Sequence, residues 1–365
     1  MKNNFKKPTV LILALLIASS AMAACTAPIE ENSELSEISQ DSSQVSVEES
    51  SKQEVSENST VKTSKYTNPL TGLPSDKDIS NLRPVGVMIN NIEYAQPLMS
   101  ISKADIIYEC LVEGGITRLL AIYKNPSEVG TIGTIRSARP PFIELARGFQ
   151  AVYVHCGTST QADELLDAGV INSFDLGIYA SWAWRDEERL NEGYAVEHTL
   201  VTDGKTIAEN AEANGVDMTV SYTYPQKFGD NSQVNNGSKA DSVTVEFSNY
   251  KTTSFKYSED EKAYIVSQFG EEMYDSTYDV HNTAENVLVL NVNSYLIDDE
   301  HINLDIVGAG EGYYINGGKA IKIKWSKANS DSPLEYTTED GSELIMKSGR
   351  QYVCCIPLSS QPKIS

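Results

Sequence analysis

The sequence predicts an α+β (or α/β) N-terminal domain with a mixed sheet, followed by a mostly-β C-terminal domain, and three observations carry that expectation. Short apolar runs bounded by Gly, Pro and polar residues fill the stretch from Val85 to His155, as strands do. Among them Phe142, Ile143, Leu145, Ala146 and Phe149 recur at helical spacing. Beyond residue 216 helix formers thin out, Tyr and Thr rise, and Asn236-Gly237, Asn316-Gly317 and Asp340-Gly341 supply hairpin turns.

Taken in order, residues 1–24 read as a lipoprotein signal peptide. Lys2, Lys6 and Lys7 precede an apolar run from Val10 to Ala18, too short to span a bilayer comfortably, and Met22-Ala23-Ala24 places small residues before Cys25. Cys25 is then the lipidated first residue of the mature chain and its anchor to the membrane. Residues 25–66 hold that cysteine and a Ser/Glu-rich acidic tether with no sustained apolar period, hence disordered, with a reach of roughly 35 Å for about 40 residues. The expected location is extracytoplasmic, on the outer face of the cell membrane.

The stretch 67–216 is the mixed domain. Val85–Ile89, Asp105–Val112 and Arg118–Tyr123 are strand candidates, several of them apolar enough for burial on both faces. Pro140 starts a helix, where its missing amide is no loss. Ala151–His155 is a strand that runs through Gly157-Thr158-Ser159 into a helix capped by Ser159 or Thr160. Gly204 to Asn214 is a last helix, closed by Gly215. In the β-rich stretch 217–365 the strand candidates are Ser242–Phe247, Ala263–Ser267, Val287–Asn293, Ala320–Trp325, Glu343–Met346 and Tyr352–Ile356.

Charge excludes one class outright. With 29 Lys+Arg against 51 Asp+Glu the formal charge is −22, the opposite of what phosphate neutralisation requires, so nucleic acid is not the partner. His-Glu-x-x-His, Cys-x-x-Cys, Walker and Gly-x-Gly-x-x-Gly patterns are absent from the sequence, so neither a metal nor a nucleotide cofactor is expected. Cys110, Cys156, Cys354 and Cys355 lack metal spacing; the first and second lie in strand-like runs that could meet, and the last two should point to opposite faces of one strand.

Unusual polar chemistry concentrates between Glu109 and Ser159. Arginine occurs at only eight positions, and Arg118, Arg136, Arg139, Arg185 and Arg189 all fall beside the motifs there or just after. Guanidinium forks suit carboxylates and phosphates, and Gly157 to Ser159 precede a helix whose free amides favour an anion. Ligand-binding candidates are therefore Arg118, Arg136, Ser137, Arg139, Gly157, Ser159, Trp184, Arg185 and His198. Glu109 and Glu113, four apart on a strand, would share a face, with Glu109 a salt-bridge partner of Arg118 and Glu113 left open by the permissive Gly114-Gly115. Glu113 and His155 are the candidate general acid or base should the protein be catalytic.

At these residues the chain resembles the YerB-like lipoproteins of Gram-positive bacteria. The resemblance rests on Asn68-Pro69-Leu70-Thr71-Gly72, Asn90-Asn91, Ala104-Asp105-Ile106-Ile107-Tyr108-Glu109, Glu113-Gly114-Gly115-Ile116-Thr117-Arg118, Arg136-Ser137-Ala138-Arg139, His155 with Gly157 and Ser159, Trp184-Arg185 and, later, Trp325-Ser326-Lys327 and Lys347-Ser348-Gly349-Arg350. Where that family tends to show Ala-Pro-His-Asn, this chain reads Ala195-Val196-Glu197-His198-Thr199. The resemblance implies a two-domain extracytoplasmic lipoprotein and supplies no reaction. Residues and resemblance together lead to an envelope lipoprotein that binds an anionic or polyhydroxylated component. The alternatives are a hydrolase or transferase of a cell-wall polymer and a structural module of an envelope complex.

Overall fold

The computed structural model describes residues 64–230 and 232–365; the signal peptide, Cys25 and nearly all of the tether lie outside them. In chain order the principal elements are β1 (Val85–Asn91), β2 (Ile106–Leu111), β3 (Thr117–Tyr123), β4 (Thr131–Gly133), α1 (Pro140–Arg147), β5 (Val152–His155), α2 (Thr160–Asp167), β6 (Ser173–Asp175), β7 (Trp184–Arg185), α3 (Glu187–Glu192), β8 (Leu200–Asp203) and α4 (Gly204–Ala213). They continue with β9 (Ser238–Lys239), β10 (Ser242–Glu246), β11 (Thr252–Ser258), β12 (Ala263–Gln268), β13 (Asn286–Val292), β14 (Gly308–Asn316), β15 (Lys319–Lys327), β16 (Glu335–Thr338) and β17 (Gln351–Pro357). The protein is strand-rich, with few helices and mixed sheets. Among the described residues no helix is long and apolar enough to cross a membrane.

An eleven-stranded sheet runs β9-β15-β14-β13-β17-β2-β3-β1-β5-β6, with β16 on the flank of β15. Its pairings are parallel at β13–β17, β17–β2, β1–β5 and β5–β6 and antiparallel elsewhere. The strand from residues 351–357 therefore sits beside one from residues 106–111, and both halves of the sequence build one sheet. Local periodicity carries no trace of that pairing.

Strands β1, β2 and β3 are buried at every residue, because both faces of the sheet are covered. On one face a second, six-stranded sheet containing β10, β11 and β12 brings Val243, Phe255, Tyr264 and Val266 against Val87, Ile89, Leu119, Tyr352 and Cys354. On the other, Phe142, Ile143 and Ala146 of α1 and Ala162 of α2 pack on Met88, Tyr108, Leu120, Val353 and Cys355. Cys354 and Cys355 thus face opposite layers, as a strand requires. All four described cysteines are free thiols, and the register partner of Cys110 is Cys355, not Cys156.

Two of the longer strands escape the sequence reading for visible reasons. β14 begins Gly308-Ala309-Gly310-Glu311-Gly312, a composition that reads as a loop. Its glycines are required because a Cβ on Gly310 would lie 2.6 Å from Trp325 Nε1 and one on Gly312 would lie 2.3 Å from Val289 O. β11, Thr-Thr-Ser-Phe-Lys-Tyr-Ser, has too few apolar residues to announce itself. Helix α4 starts on a glycine for a similar reason: a Cβ on Gly204 would lie 1.9 Å from Pro126 O. A small sheet, β4-β8-β7, sets Trp184 and Arg185 beside Leu200 and Val201 and leads from β4 into the Arg136 segment.

Candidate functional site

Strand β2 ends at Leu111, and the chain turns at once: Ile116 N donates to Glu113 O at 3.0 Å, with Gly114 and Gly115 at φ +57° and +78°. Glu113 therefore lies in a turn, and the expectation that Glu109 and Glu113 share a strand face is corrected. Glu109 points into the layer facing the second sheet. There its carboxylate accepts from Asn91 Nδ2 (2.9 Å), Thr117 Oγ1 (2.7 Å), Thr253 Oγ1 (2.8 Å) and Tyr352 Oη (2.7 Å). Its cationic partner is Lys251, at 3.5 Å, rather than Arg118.

Glu113 instead joins two arginines. Arg118, on β3 and 3% exposed, donates from Nη2 to Glu113 Oε1 and from Nη1 to Ser137 O (2.8 Å). Arg139, the residue preceding α1, donates from Nε to Glu113 Oε2 (3.0 Å) and from Nη1 to Ala138 O (2.7 Å). Burial, and then the neighbouring Arg139 charge, pull the Arg118 pKa down from its usual range to about 9, with Glu113 opposing them.

Arg136 is the exception among the arginines. Its Nε is shut off from solvent with no hydrogen-bond acceptor, and no ion pair among the described residues includes it. Its charge bears on Arg118, Cys156 and His198. The backbone holds it in place from both sides: Arg136 N donates to Met88 O (3.0 Å) and Cys156 N donates to Arg136 O (3.0 Å). Two guanidinium groups thus share the Glu113 carboxylate, and the Arg136 charge stands beside them without one.

The strand-to-helix loop runs alongside. Ala138 N donates to Gly157 O (2.9 Å), and Gly157, at φ +74°, leaves room for Ser137, whose Oγ would be 3.2 Å from a Cβ there. The Gly157 amide donates to both oxygens of Asp175 at 3.1 Å, so it is already committed to a carboxylate. Ser159 caps α2, its Oγ accepting from Ala162 N at 3.4 Å. His155 is buried, and since its Nδ1 sits 3.0 Å from a carbonyl, Gly157 O, it donates there and Nε2 carries the lone pair. Burial lowers its pKa.

His198 is buried within reach of the Arg136 charge, its Nδ1 accepting from Asn90 Nδ2 at 3.0 Å, with its pKa lowered by burial first. Arg189 belongs to the framework: Nη1 donates to Ala95 O (3.0 Å) and Nη2 to Pro97 O. Arg185 is exposed and donates to Val196 O (2.6 Å), and Trp184 is 43% exposed beside it. Glu113, Arg118, Ser137 and Arg139 are thereby brought into direct contact, with Arg136, Gly157, His155 and His198 bordering them. Asn90 and Asp175 were not among the candidates; two asparagines ending an apolar strand were the available signal for the first, and nothing local marked the second. Among the described residues no group of three or more His, Cys, Asp and Glu is placed to hold a metal ion.

Comparison with known proteins gives a consistent answer. A family model described as the N-terminal domain of a protein of unknown function (DUF3048) matches residues 70–217, and the model of its C-terminal domain matches residues 243–353. YerB of Bacillus subtilis (strain 168), whose printed name assigns it to the lipoproteins, is 30% identical over 294 residues, covering 79% of this chain and 86% of the relative. A crystal structure of the Bacillus subtilis YerB protein superposes with a TM-score of 0.72 at 28% identity, covering 81% of this chain and 99% of that one. With both halves matched in order and a relative aligned along most of its length, the chain belongs to the two-domain DUF3048 family that includes YerB.

Proposed function

We propose that this protein is a lipoprotein held to the outer face of the cell membrane by lipid on Cys25, and that its Arg118–Arg136–Arg139 cluster binds an anionic component of the cell envelope. The anchoring half of the reading is supported by the sequence around Cys25 and by the naming of the Bacillus subtilis relative. The binding half rests on Arg136, whose Nε is buried without an acceptor while its two neighbours share Glu113. A half-buried cation without an ion pair, set beside two other guanidinium groups, is destabilising unless an anion balances it. A carboxylate or phosphate oxygen would do so.

Catalysis by Glu113 is a weaker reading, since each of its oxygens already accepts from a guanidinium. The test is a thermal-shift scan of the full chain against inorganic phosphate, sugar phosphates, muropeptides and teichoic-acid fragments. A ligand at a hundredfold excess over Kd adds about 2.7 kcal/mol. Arg136→Ala should abolish that shift while leaving the unliganded melting temperature unchanged or raised, because Arg136 makes no ion pair to lose. No shift with any probe, together with a destabilised Arg136→Ala, would show the cluster to be structural. Cys25→Ser should release the protein from membranes.

A further inference from the structure

Two of the buried thiols lie against each other. Cys110 on β2 and Cys355 on β17 are register partners on adjacent parallel strands, and both are fully buried. They point to the same face of the sheet, into the layer covered by α1 and α2, and a hydrogen bond joins the two sulfurs. Adjacent strands run about 4.8 Å apart, inside the ~4.4–6.8 Å between Cα atoms that a disulfide spans. In this structure both thiols are reduced.

The other described cysteines are placed differently. Cys354 points to the opposite face, where its register partner is Glu109 and the Lys251 charge is close. Cys156 is partly buried beside Asp175, Arg185 and Arg136. Neither stands opposite a thiol in the strand register among the described residues. A ring between consecutive Cys354 and Cys355 would force two side chains that point to opposite faces onto one side. The fold therefore selects one pairing from those that four cysteines allow.

We propose that Cys110 and Cys355 form a disulfide when the chain folds under oxidising conditions, tying β2 to β17 and so the first half of the sequence to its last long strand. In the cell, the extracytoplasmic location proposed above would supply those conditions. The oxidant is a small disulfide. The Cys355 thiolate attacks its S–S bond, making a mixed disulfide and releasing one thiol. As β17 docks, the Cys110 thiolate attacks the Cys355 sulfur, and the second thiol leaves. Two protein thiols give up two electrons and two protons, and the oxidant is reduced to two thiols that carry them. The exchange belongs to the folding chain, because burial pushes the Cys110 thiol well above its ordinary range once the layer has closed.

The test is refolding of the full chain from urea in a mixture of oxidised and reduced glutathione, with Cys25→Ser to remove the thiol assigned to the lipid. Chains are denatured in N-ethylmaleimide and their peptides mapped. Most should carry a Cys110–Cys355 linked peptide, with Cys156 and Cys354 alkylated. The oxidised chain should melt higher than the reduced one by roughly 3–10 °C, and that difference should vanish in Cys110→Ala. Alkylation of Cys110 and Cys355 in most refolded chains, or a bond from either to Cys156 or Cys354, would overturn the proposal. Because the bond is read in vitro, its failure is separate from failure of the membrane location, which the release of Cys25→Ser from membranes reads.

Discussion

Removing one member of the buried Glu109–Lys251 pair should reveal which of the two the fold depends on. Glu109 is 0% exposed and takes hydrogen bonds from both halves of the sequence, Asn91 and Thr117 from the first and Thr253 and Tyr352 from the second. Lys251 is 2% exposed, its ammonium 3.5 Å from Glu109 Oε1 and 4.0 Å above the Phe269 ring, without a hydrogen bond of normal length. Burial lowers its pKa from 10.5 to about 8, which corresponds to about 3 kcal/mol at ~1.4 kcal/mol per unit.

Glu109→Gln strands a buried ammonium and turns one carboxylate oxygen into an NH2 that faces two hydrogen-bond donors, so it should lose about 3–5 kcal/mol. Lys251→Met also gives up the Glu109 pairing, but the lowered pKa already includes that attraction, so removing the cation should leave stability unchanged or raise it, by up to about 3 kcal/mol. The folded-state pKa lies below the unfolded one, so between about pH 8 and 10.5 the unfolded chain binds the extra proton. This contribution therefore makes the folded state more stable as pH rises through that window, and Lys251→Met should lack it. Urea denaturation at pH 7 and across pH 8–10 measures both effects. A loss under about 1 kcal/mol in Glu109→Gln, or a larger loss in Lys251→Met, would refute the reasoning.

Two further outcomes follow from particular contacts. Gly204→Ala drives a methyl into Pro126 O and should cost about 3 kcal/mol by urea midpoint; a small loss would show that the 126–128 turn yields. Burial holds the His155 pKa below 6.5, so the unfolded chain takes up the proton first and stability is lost as pH falls from about 6.5 through the folded-state value. His155→Gln should flatten that acid limb in thermal melts, and an unchanged limb would assign it to other groups.

What the sequence made legible was local. The Ser159 cap, the proline start of α1, the double-sided burial of β1 to β3 and the opposed thiols of Cys354 and Cys355 all follow from neighbouring residues. The arginine-rich motifs also stood out, against an acidic background. What stayed hidden depends on distant partners. Glu109 was assigned to Arg118, nine positions away, when its partners include Thr253, 144 positions away. The Gly157 amide looked free until Asp175, 18 positions on, took it. The glycines of β14 resembled a loop because the Trp325 that fills their space belongs to the next strand.

The insertion of β17 beside β2 sets a timetable for the newborn chain. Tyr352 reaches Glu109 across 243 positions, so β2 emerges from synthesis long before the strand that completes its edge. During that interval its backbone donors and acceptors stand open along an apolar ribbon, the kind of edge that recruits other chains, and the long-range closure itself is slow. The hazard ends only when residues 351–357 arrive. A copy cut short before residue 351 would keep β2 open, and would be marked for aggregation or removal rather than persisting as a partly working protein.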